Sequence, residues 1–231
     1  DGIHSIARLF CDTGARPTRF TGQVAWRAVV PAEEEQPVAR IWMAPGRHVV
    51  TYPLSADRLN IVAVQEREDW AEEGWHHHDD PANLRAAFAD CGADLRAILD
   101  RVDETRLWGL FRHPVAQNWH GERIAILGDA AHPTLPFLAQ GANLALEDAW
   151  VLARCCADLP LDLALPRYQS LRRDRVIRAI EAANANARNY HLGGAKRRAA
   201  HLGLSLMDKL SPAMFLGRFG WLYDYDPTAV T

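Results

Sequence analysis

The chain has 231 residues, of which 48% are hydrophobic, and its 26 basic and 29 acidic residues give a net charge of -3. A near-neutral balance without a basic tract argues against nucleic acid as a partner, and the lack of a run of about 20 apolar residues argues against a membrane span. The length exceeds that of a typical domain of roughly 100–200 residues, so we expect one large domain or two closely packed domains.

The cysteines and histidines indicate the compartment and the metal content. Cys11, Cys91, Cys155 and Cys156 form no C-x-x-C pair. This usage favours reduced thiols in a cytoplasmic protein over a disulfide framework or a zinc site. The three consecutive histidines at 76–78 have no partner cluster, so a solvated loop is favoured there and no bound metal is expected.

Strands are predicted in the first half of the chain. Residues 21–65 contain four short segments rich in valine, isoleucine and aromatic residues, which favours an antiparallel sheet with one buried face. The segments are "GQVAWRAVV", "PVARIWM", "RHVVTYPL" and "RLNIVAVQE". The segment 81–102 has helical spacing with Pro81 at its first position, and "RLWGLFR" and "RIAIL" are predicted as further strands.

The chain after Gly141 is predicted to be helical almost to its end. One helix carries Leu144, Val151 and Cys155 on one face and further small or apolar residues on the next, so burial on more than one side is expected. A second long helix is predicted to begin near Pro166.

The stretch "GDAAHPTLPFLAQGANLALEDAW", residues 128–150, passes from a predicted strand through a loop to a helix. A carboxylate at the carboxyl end of a strand, here Asp129, is placed to accept hydrogen bonds from ligand hydroxyls. A helix start presents free backbone N–H groups to an electron-rich group. A sugar-alcohol chain on Asp129 and a ring edge on the N–H groups of Gly141, Ala142 and Asn143 would together describe a flavin. From spacing alone, a helix cap and an ordinary turn are equally good interpretations.

This stretch resembles the second FAD-binding motif of the single-component flavoprotein aromatic hydroxylases, the p-hydroxybenzoate hydroxylase superfamily. Its form is most similar to the salicylate and 3-hydroxybenzoate hydroxylase branch. "DGIHSIAR" resembles the D-G motif of the family, and the similarity continues through "FTGQVAWRAVVP", "HVVTYPL", "YQSLRRDR" and "WLYDYD". The resemblance implies a mixed α/β fold with part of a Rossmann-like FAD-binding domain, an antiparallel substrate-domain sheet and C-terminal helices.

The resemblance also divides the chain into four segments. Residues 1–20 and 119–160 would belong to the FAD domain, 21–118 to the substrate-binding sheet domain and 161–231 to a C-terminal helical region. The sequence lacks the G-x-G-x-x-G turn with which family members begin. We therefore expect an incomplete chain or a natural split protein that binds FAD weakly or not at all alone and needs the missing half for activity. A homodimer is also possible.

Carried over to matching positions, the resemblance implies the cofactor-binding residues. Gly128 opens the motif, Asp129 would bind the ribityl chain and residues 141–143 would face the flavin pyrimidine. Asp1 would lie near the pyrophosphate. Pro136 would lie against the flavin ring at the position where oxygen reacts, which makes it a candidate catalytic residue as well. The implied reaction uses NADH or NADPH to reduce FAD and transfers one oxygen atom of O2 to a phenolic ring.

His48 and Tyr52 are the candidate base and substrate contact. They lie four residues apart in a predicted strand, so both point to the same face of the sheet. The resemblance implies that this strand lines the substrate pocket, where a histidine with an ordinary pKa of about 6.5 suits phenol deprotonation. A satisfied sheet histidine and a core tyrosine are the alternative interpretation. Gln140 is a weaker candidate for a substrate contact.

Two functions are consistent with these patterns. The first is an FAD-dependent monooxygenase acting on a salicylate- or hydroxybenzoate-like phenolic acid. The second is a non-catalytic remnant or binding subunit, which predicts an exposed apolar patch. Related flavoproteins that halogenate, or that hydroxylate quinones and polyketides, share the fold, which does not by itself assign the reaction. Arg172 and Arg175 match a family pattern and are expected to tie the second long helix to the rest of the fold.

Overall fold

A computed structural model describes residues 2–14, 18–32, 37–69, 77–210 and 217–229. The chain divides into two compact units. The first comprises Asp1–Arg19, Arg112–Ala187 and His201–Thr231, and the second comprises Phe20–Phe111 and Arg188–Ala200. This grouping differs from the four segments expected from the sequence, because Arg188–Ala200 belongs with the unit that contains the sheet.

The described residues form a mixed α/β structure. Its strands are β1 (Arg19–Pro31), β2 (Arg40–Ala44), β3 (Arg47–Ser55), β4 (Arg58–Glu66), β5 (His78–Asp79) and β6 (Thr105–Arg112). Its α-helices are α1 (Ala7–Cys11), α2 (Pro81–Ala87), α3 (Ala93–Asp100), α4 (Gly141–Asp158), α5 (Leu161–Tyr190), α6 (Gly194–Leu210) and α7 (Gly220–Tyr223). The predicted fold class is confirmed.

The second unit is built on one sheet with the strand order β2-β3-β4-β1-β6-β5. β3 pairs antiparallel with β2 and β4, and β4 pairs antiparallel with β1. Alternate residues such as Trp26 and Val49 lie in a core with Leu84 of α2 and Leu99 of α3, because side chains alternate between the two faces of a strand. The antiparallel sheet predicted between residues 21 and 65 is confirmed.

The helical structure predicted over 81–102 is confirmed, and the segment forms two helices. Pro81 does begin the first of them, where the Asp80 side chain accepts a hydrogen bond from the N–H of Ala82. The second helix follows Gly92, whose ψ of 153° is not helical. The helical spacing therefore continues through a break that the sequence pattern did not mark.

The strand predicted for "RIAIL" is also wrong. Ala125 makes only an isolated antiparallel bridge with His120. The N–H of Ile126 donates to the carbonyl of Trp119, and that of Gly121 donates to the carbonyl of Ile124. A strand requires a continued ladder with a neighbouring strand, and the described residues supply one bridge.

Helix α4 is buried on one side within the described part of the chain. Leu144, Val151 and Cys155 are buried. On the next face Ala145 and Leu152 are partly buried and Leu152 packs against the same core, whereas Ala149 and Cys156 are exposed. Full burial is therefore limited to one face, and the expected burial of a second face is only partial. One apolar stripe at helical spacing is enough to attach the helix to the core of its unit.

Helix α5 begins at Leu161, so the predicted start near Pro166 is wrong and the proline lies inside the helix. The carbonyl of Pro160 accepts from the N–H groups of Leu163 and Ala164, which starts the helix earlier.

Among the helices of the described residues, none combines the length and the hydropathy that crossing a membrane requires.

Candidate functional site

A cavity of about 730 Å³ lies in the first unit. Its wall is formed by the 3₁₀ turn Gly128–Ala130, the loop that precedes α4 and the start of α4. The lining includes five residues that the sequence singled out, namely Gly128, Asp129, Pro136, Gly141 and Ala142. These five candidates therefore surround one space.

Gly128 allows the turn to lie close to α4. Its φ of 56° is in the left-handed region, which glycine adopts without steric cost. A Cβ at this position would lie 3.0 Å from the Cβ of Ala145. The turn consequently positions Asp129 at the cavity with its side chain exposed.

The N-terminus of α4 faces the cavity without a side-chain cap. Gln140 precedes the helix and forms no capping hydrogen bond, and its carbonyl accepts the N–H of Leu144. The N–H groups of residues 141–143 come before this first helical bond, at the positive end of the helix dipole. A Cβ on Gly141 would lie 2.9 Å from Oγ1 of Thr134. The absence of a side chain there leaves room for Thr134 beside the start of the helix.

Gln140 and Asn143, two other residues singled out from the sequence, lie beside this wall. Gln140 is 8% exposed, and its Oε1 is 3.5 Å from Nδ2 of Asn143. Ala139 lines the cavity with a φ of 52°, a left-handed conformation that costs a non-glycine residue free energy. Strained backbone of this kind concentrates at ligand sites. Asp1 lies outside the described residues.

A buried carboxylate connects this wall to both long helices of the first unit. Asp148 accepts hydrogen bonds from the N–H of Gly128 at 3.0 Å, from Nε2 of His132 at 2.5 Å and from Nε of Arg172 at 2.8 Å. Burial on its own raises the pKa of Asp148, but the contacts with His132, Arg172 and Gly128 outweigh it and hold the pKa below its ordinary value. The ionised side chain therefore fixes the turn that carries Asp129.

Arg175 makes a second set of contacts between the same helices. Its Nε and Nη2 donate to the two carboxylate oxygens of Glu147, each at 2.8 Å. It also donates to the carbonyls of Trp221 and Leu222, and its Cζ lies 3.7 Å from the centre of the Tyr225 ring. Together with the contact between Arg172 and Asp148, these bonds tie α5 to α4 and to the C-terminal residues.

His48 lies in the second unit and is 2% exposed. Its Nδ1 is 2.7 Å from Nε2 of His191, and Nδ1 of His191 is 2.8 Å from Oε1 of Glu66. Burial, followed by the facing His191, lowers the pKa of His48 to about 3. The imidazole is therefore neutral at physiological pH.

Tyr52 lies on the face of β3 that carries His48, since residues four apart in a strand share a face. Val49 points to the opposite face, into the hydrophobic core. Tyr52 is 37% exposed and pairs in register with Asn60 of β4. Nδ2 of Asn60 is buried and has no hydrogen-bond partner among the described residues. This face of the sheet thus combines aromatic, imidazole and amide groups.

Sequence reasoning missed four of these residues. Asp148 carried a signal, because an acidic residue stands on the apolar stripe of Leu144 and Val151. His132 lies inside the quoted motif but was not singled out. Glu66 and His191 had no local signal, because 125 positions separate them and only folding brings them together.

The first unit has the groups that a flavin requires. An exposed carboxylate at Asp129 suits ribityl hydroxyls, and the uncapped N–H groups of residues 141–143 suit the electron-rich edge of the pyrimidine. The model of the FAD binding domain family matches residues 1–183. The chain belongs to this family, whose cofactor is FAD.

Among curated proteins, the chain is similar to hydroxybenzoate monooxygenases. The chain is 35% identical to a 3-amino-4-hydroxybenzoate 2-monooxygenase of Streptomyces platensis, with 100% of this chain and 58% of the relative covered. It is 30% identical to a 3-hydroxybenzoate 6-hydroxylase of Klebsiella oxytoca, with 97% and 57% covered. The structure of a salicylate hydroxylase substrate complex has a TM-score of 0.82 and 25% identity, covering 99% of this chain and 61% of that one. The chain spans somewhat more than half the length of these curated relatives.

Proposed function

We propose that the whole protein is an FAD-dependent monooxygenase that hydroxylates a hydroxybenzoate-like phenolic acid. NADH or NADPH would be the reductant and O2 the oxygen source. The observation that carries the proposal is the cavity between the Asp129 carboxylate and the uncapped N-terminus of α4. The named activities of the hydroxybenzoate relatives support the substrate class.

The cofactor would be held mainly by the backbone. Asp129 would accept hydrogen bonds from the ribityl chain, and the N–H groups of residues 141–143 would donate to the pyrimidine. Gly128 keeps the turn close to α4. Pro136 would pack against the flavin ring, and Asp1 is proposed as a residue near the pyrophosphate. When bound, FAD supplies the redox chemistry, and the protein supplies binding and orientation.

The substrate is assigned to the face of the sheet that carries His48. We assign His48 the role of the base that takes the phenolic proton, because a neutral imidazole has a lone pair available to accept it. Tyr52 and Gln140 are proposed as contacts of the aromatic acid. Removal of the proton makes the ring more electron-rich and so more reactive toward an electrophilic oxygen.

Two measurements test the proposal. The protein purified from its natural source should show a flavin absorption spectrum and consume O2 with 3-hydroxybenzoate or 3-amino-4-hydroxybenzoate. A protein that stays colourless with added FAD would contradict it. His48→Asn should slow hydroxylation by at least about 100-fold while flavin reduction keeps its rate. The control is His78→Asn, at an exposed histidine. Equal losses in both steps would exclude His48 as the base.

A binding subunit without catalysis is the second candidate. Leu9 and Phe10 of α1 and Leu146 and Trp150 of α4 are exposed large hydrophobic residues in the first unit, and such residues favour a surface that binds another protein or a second copy. Light scattering over a range of concentrations tests for a homodimer.

We also propose a cytoplasmic location, because all four cysteines are free thiols.

A further inference from the structure

Three side chains of the second unit form a continuous hydrogen-bonded series. It runs from Glu66 at the end of β4, through His191 just after α5, to His48 on β3. The Glu66 side chain is 56% exposed, whereas that of His191 is 3% exposed. The series thus connects solvent to a ring that water does not reach directly.

The carboxylate fixes the direction of the first bond in the series, because its oxygens can only accept and Nδ1–H of His191 therefore donates to Oε1. With one proton on each imidazole, Nε2 of His191 has a lone pair and accepts from Nδ1–H of His48. In that arrangement Nε2 of His48 has no proton and is the basic nitrogen.

We propose that Glu66 and His191 are positioning residues that set the tautomer of His48 and carry the phenolic proton from its ring to solvent. The inference rests on the proposed function, because it takes His48 as the base. Neither residue needs to touch the substrate.

The proton transfers balance along the series. The phenolic O–H bond breaks as Nε2–H of His48 forms, and Nδ1–H of His48 breaks as Nε2–H of His191 forms. Nδ1–H of His191 then breaks as a proton joins Oε1 of Glu66, which releases it to water. Both imidazoles end neutral, with their protons on the opposite nitrogens. Glu66 is again a carboxylate, and the new negative charge on the phenolate is balanced by the proton released to water.

This proton relay through His48, His191 and Glu66 accounts for a large difference in pKa between His48 and a phenol. Burial lowers the pKa of His48 to about 3, whereas a phenol has an ordinary pKa of about 10. An imidazolium that kept the proton would form at about one part in 10⁷ at equilibrium with the phenol. A relay that passes the proton on to the exposed Glu66 carboxylate never leaves a positive charge on a buried imidazole.

The test measures proton release on ligand binding. The natural protein loaded with FAD is mixed rapidly with 3-hydroxybenzoate or 3-amino-4-hydroxybenzoate in weak buffer containing a pH indicator. Glu66→Gln and His191→Gln should each slow proton release by at least about 10-fold, while the affinity for the phenol stays within about 3-fold. A glutamine at 191 can still accept from His48 and donate to Glu66, but it cannot exchange tautomers as imidazole does.

Glu68→Gln is the matched control, since it removes the same charge from an exposed position two residues further on. If Glu66→Gln behaves like Glu68→Gln, the relay is overturned. If His191→Gln alone is slow, His191 merely orients His48 and the relay is again overturned. A wild-type protein that binds phenols and releases protons but hydroxylates nothing would overturn the proposed function while leaving the relay supported. Failure of the wild type to bind phenols would overturn both.

Discussion

Gly128 donates its backbone N–H to Oδ2 of Asp148 over 3.0 Å. This bond joins the turn beside the cavity to the middle of α4 through a side chain that is fully buried. The same carboxylate contacts His132 and Arg172. The position of Asp129 therefore depends on a charge network that a ligand would not touch.

Asp148→Asn should lower the free energy of unfolding by about 3–5 kcal/mol, because it breaks the fully buried ion pair between Asp148 and Arg172 and leaves Glu147 as the remaining carboxylate beside the guanidinium. Urea denaturation measures the loss. The control is Asp158→Asn, whose pair with Arg154 is exposed and should contribute less than about 1 kcal/mol. Equal stabilities of the two variants would show that the network does not stabilise this unit.

Gly128→Ala should lower the free energy of unfolding by about 2 kcal/mol or more. The new Cβ would lie 3.0 Å from Ala145 Cβ at a φ of 56°, and left-handed backbone costs a non-glycine residue about 1–2 kcal/mol. Gly203→Ala in α6 is the opposite case, because a Cβ there meets nothing within 4 Å. That variant should gain about 0.5–1 kcal/mol. Thermal unfolding of both proteins checks the contrast, and a stable Gly128→Ala protein would refute it.

Asp129→Ala should weaken FAD binding by about 10- to 100-fold, the loss expected for hydrogen bonds to a charged group worth about 1.5–3 kcal/mol. Titration followed by flavin fluorescence measures the affinity. The side chain is exposed, so stability should stay within about 0.5 kcal/mol of wild type. Asp162→Ala, at another exposed carboxylate, should bind FAD normally. Unchanged affinity in Asp129→Ala would remove this residue from the proposed site.

The low pKa of His48 predicts a loss of stability in acid. The unfolded chain binds a proton on this residue from about pH 6.5, whereas the folded chain does so only near a pKa of about 3. Between these values the unfolded state holds the extra proton, so the free energy of unfolding falls as the pH is lowered. Urea denaturation at several pH values should show a slope that is smaller in His48→Asn. Parallel slopes in the two proteins would mean that His48 titrates alike in both states.

Much of the second unit followed from its sequence. β-branched and aromatic residues at alternate positions predicted the strands of 21–65, because a strand directs successive side chains to opposite faces. Pro81 likewise marked the start of α2, because its fixed φ suits a first helical turn. The predictions failed where the structure of a segment depends on its contacts with other segments and not on its own residue spacing. Residue spacing could not reveal the break between α2 and α3 at Gly92. The segment "RIAIL" is not a strand because it has one isolated bridge and no continued hydrogen-bond ladder with a neighbouring strand.

The sequence by itself determined the motif that begins at Gly128, with its carboxylate, its prolines and its glycine at a helix start. It thereby identified the family and the cavity residues, because each of these depends on neighbours within a few positions along the chain. Only the tertiary structure decided that Asp148 supports the turn and that Glu66, His191 and His48 form one series. Those contacts depend on buried charges and imidazoles that are far apart in the chain, and no local pattern records which partner compensates the desolvation of each one.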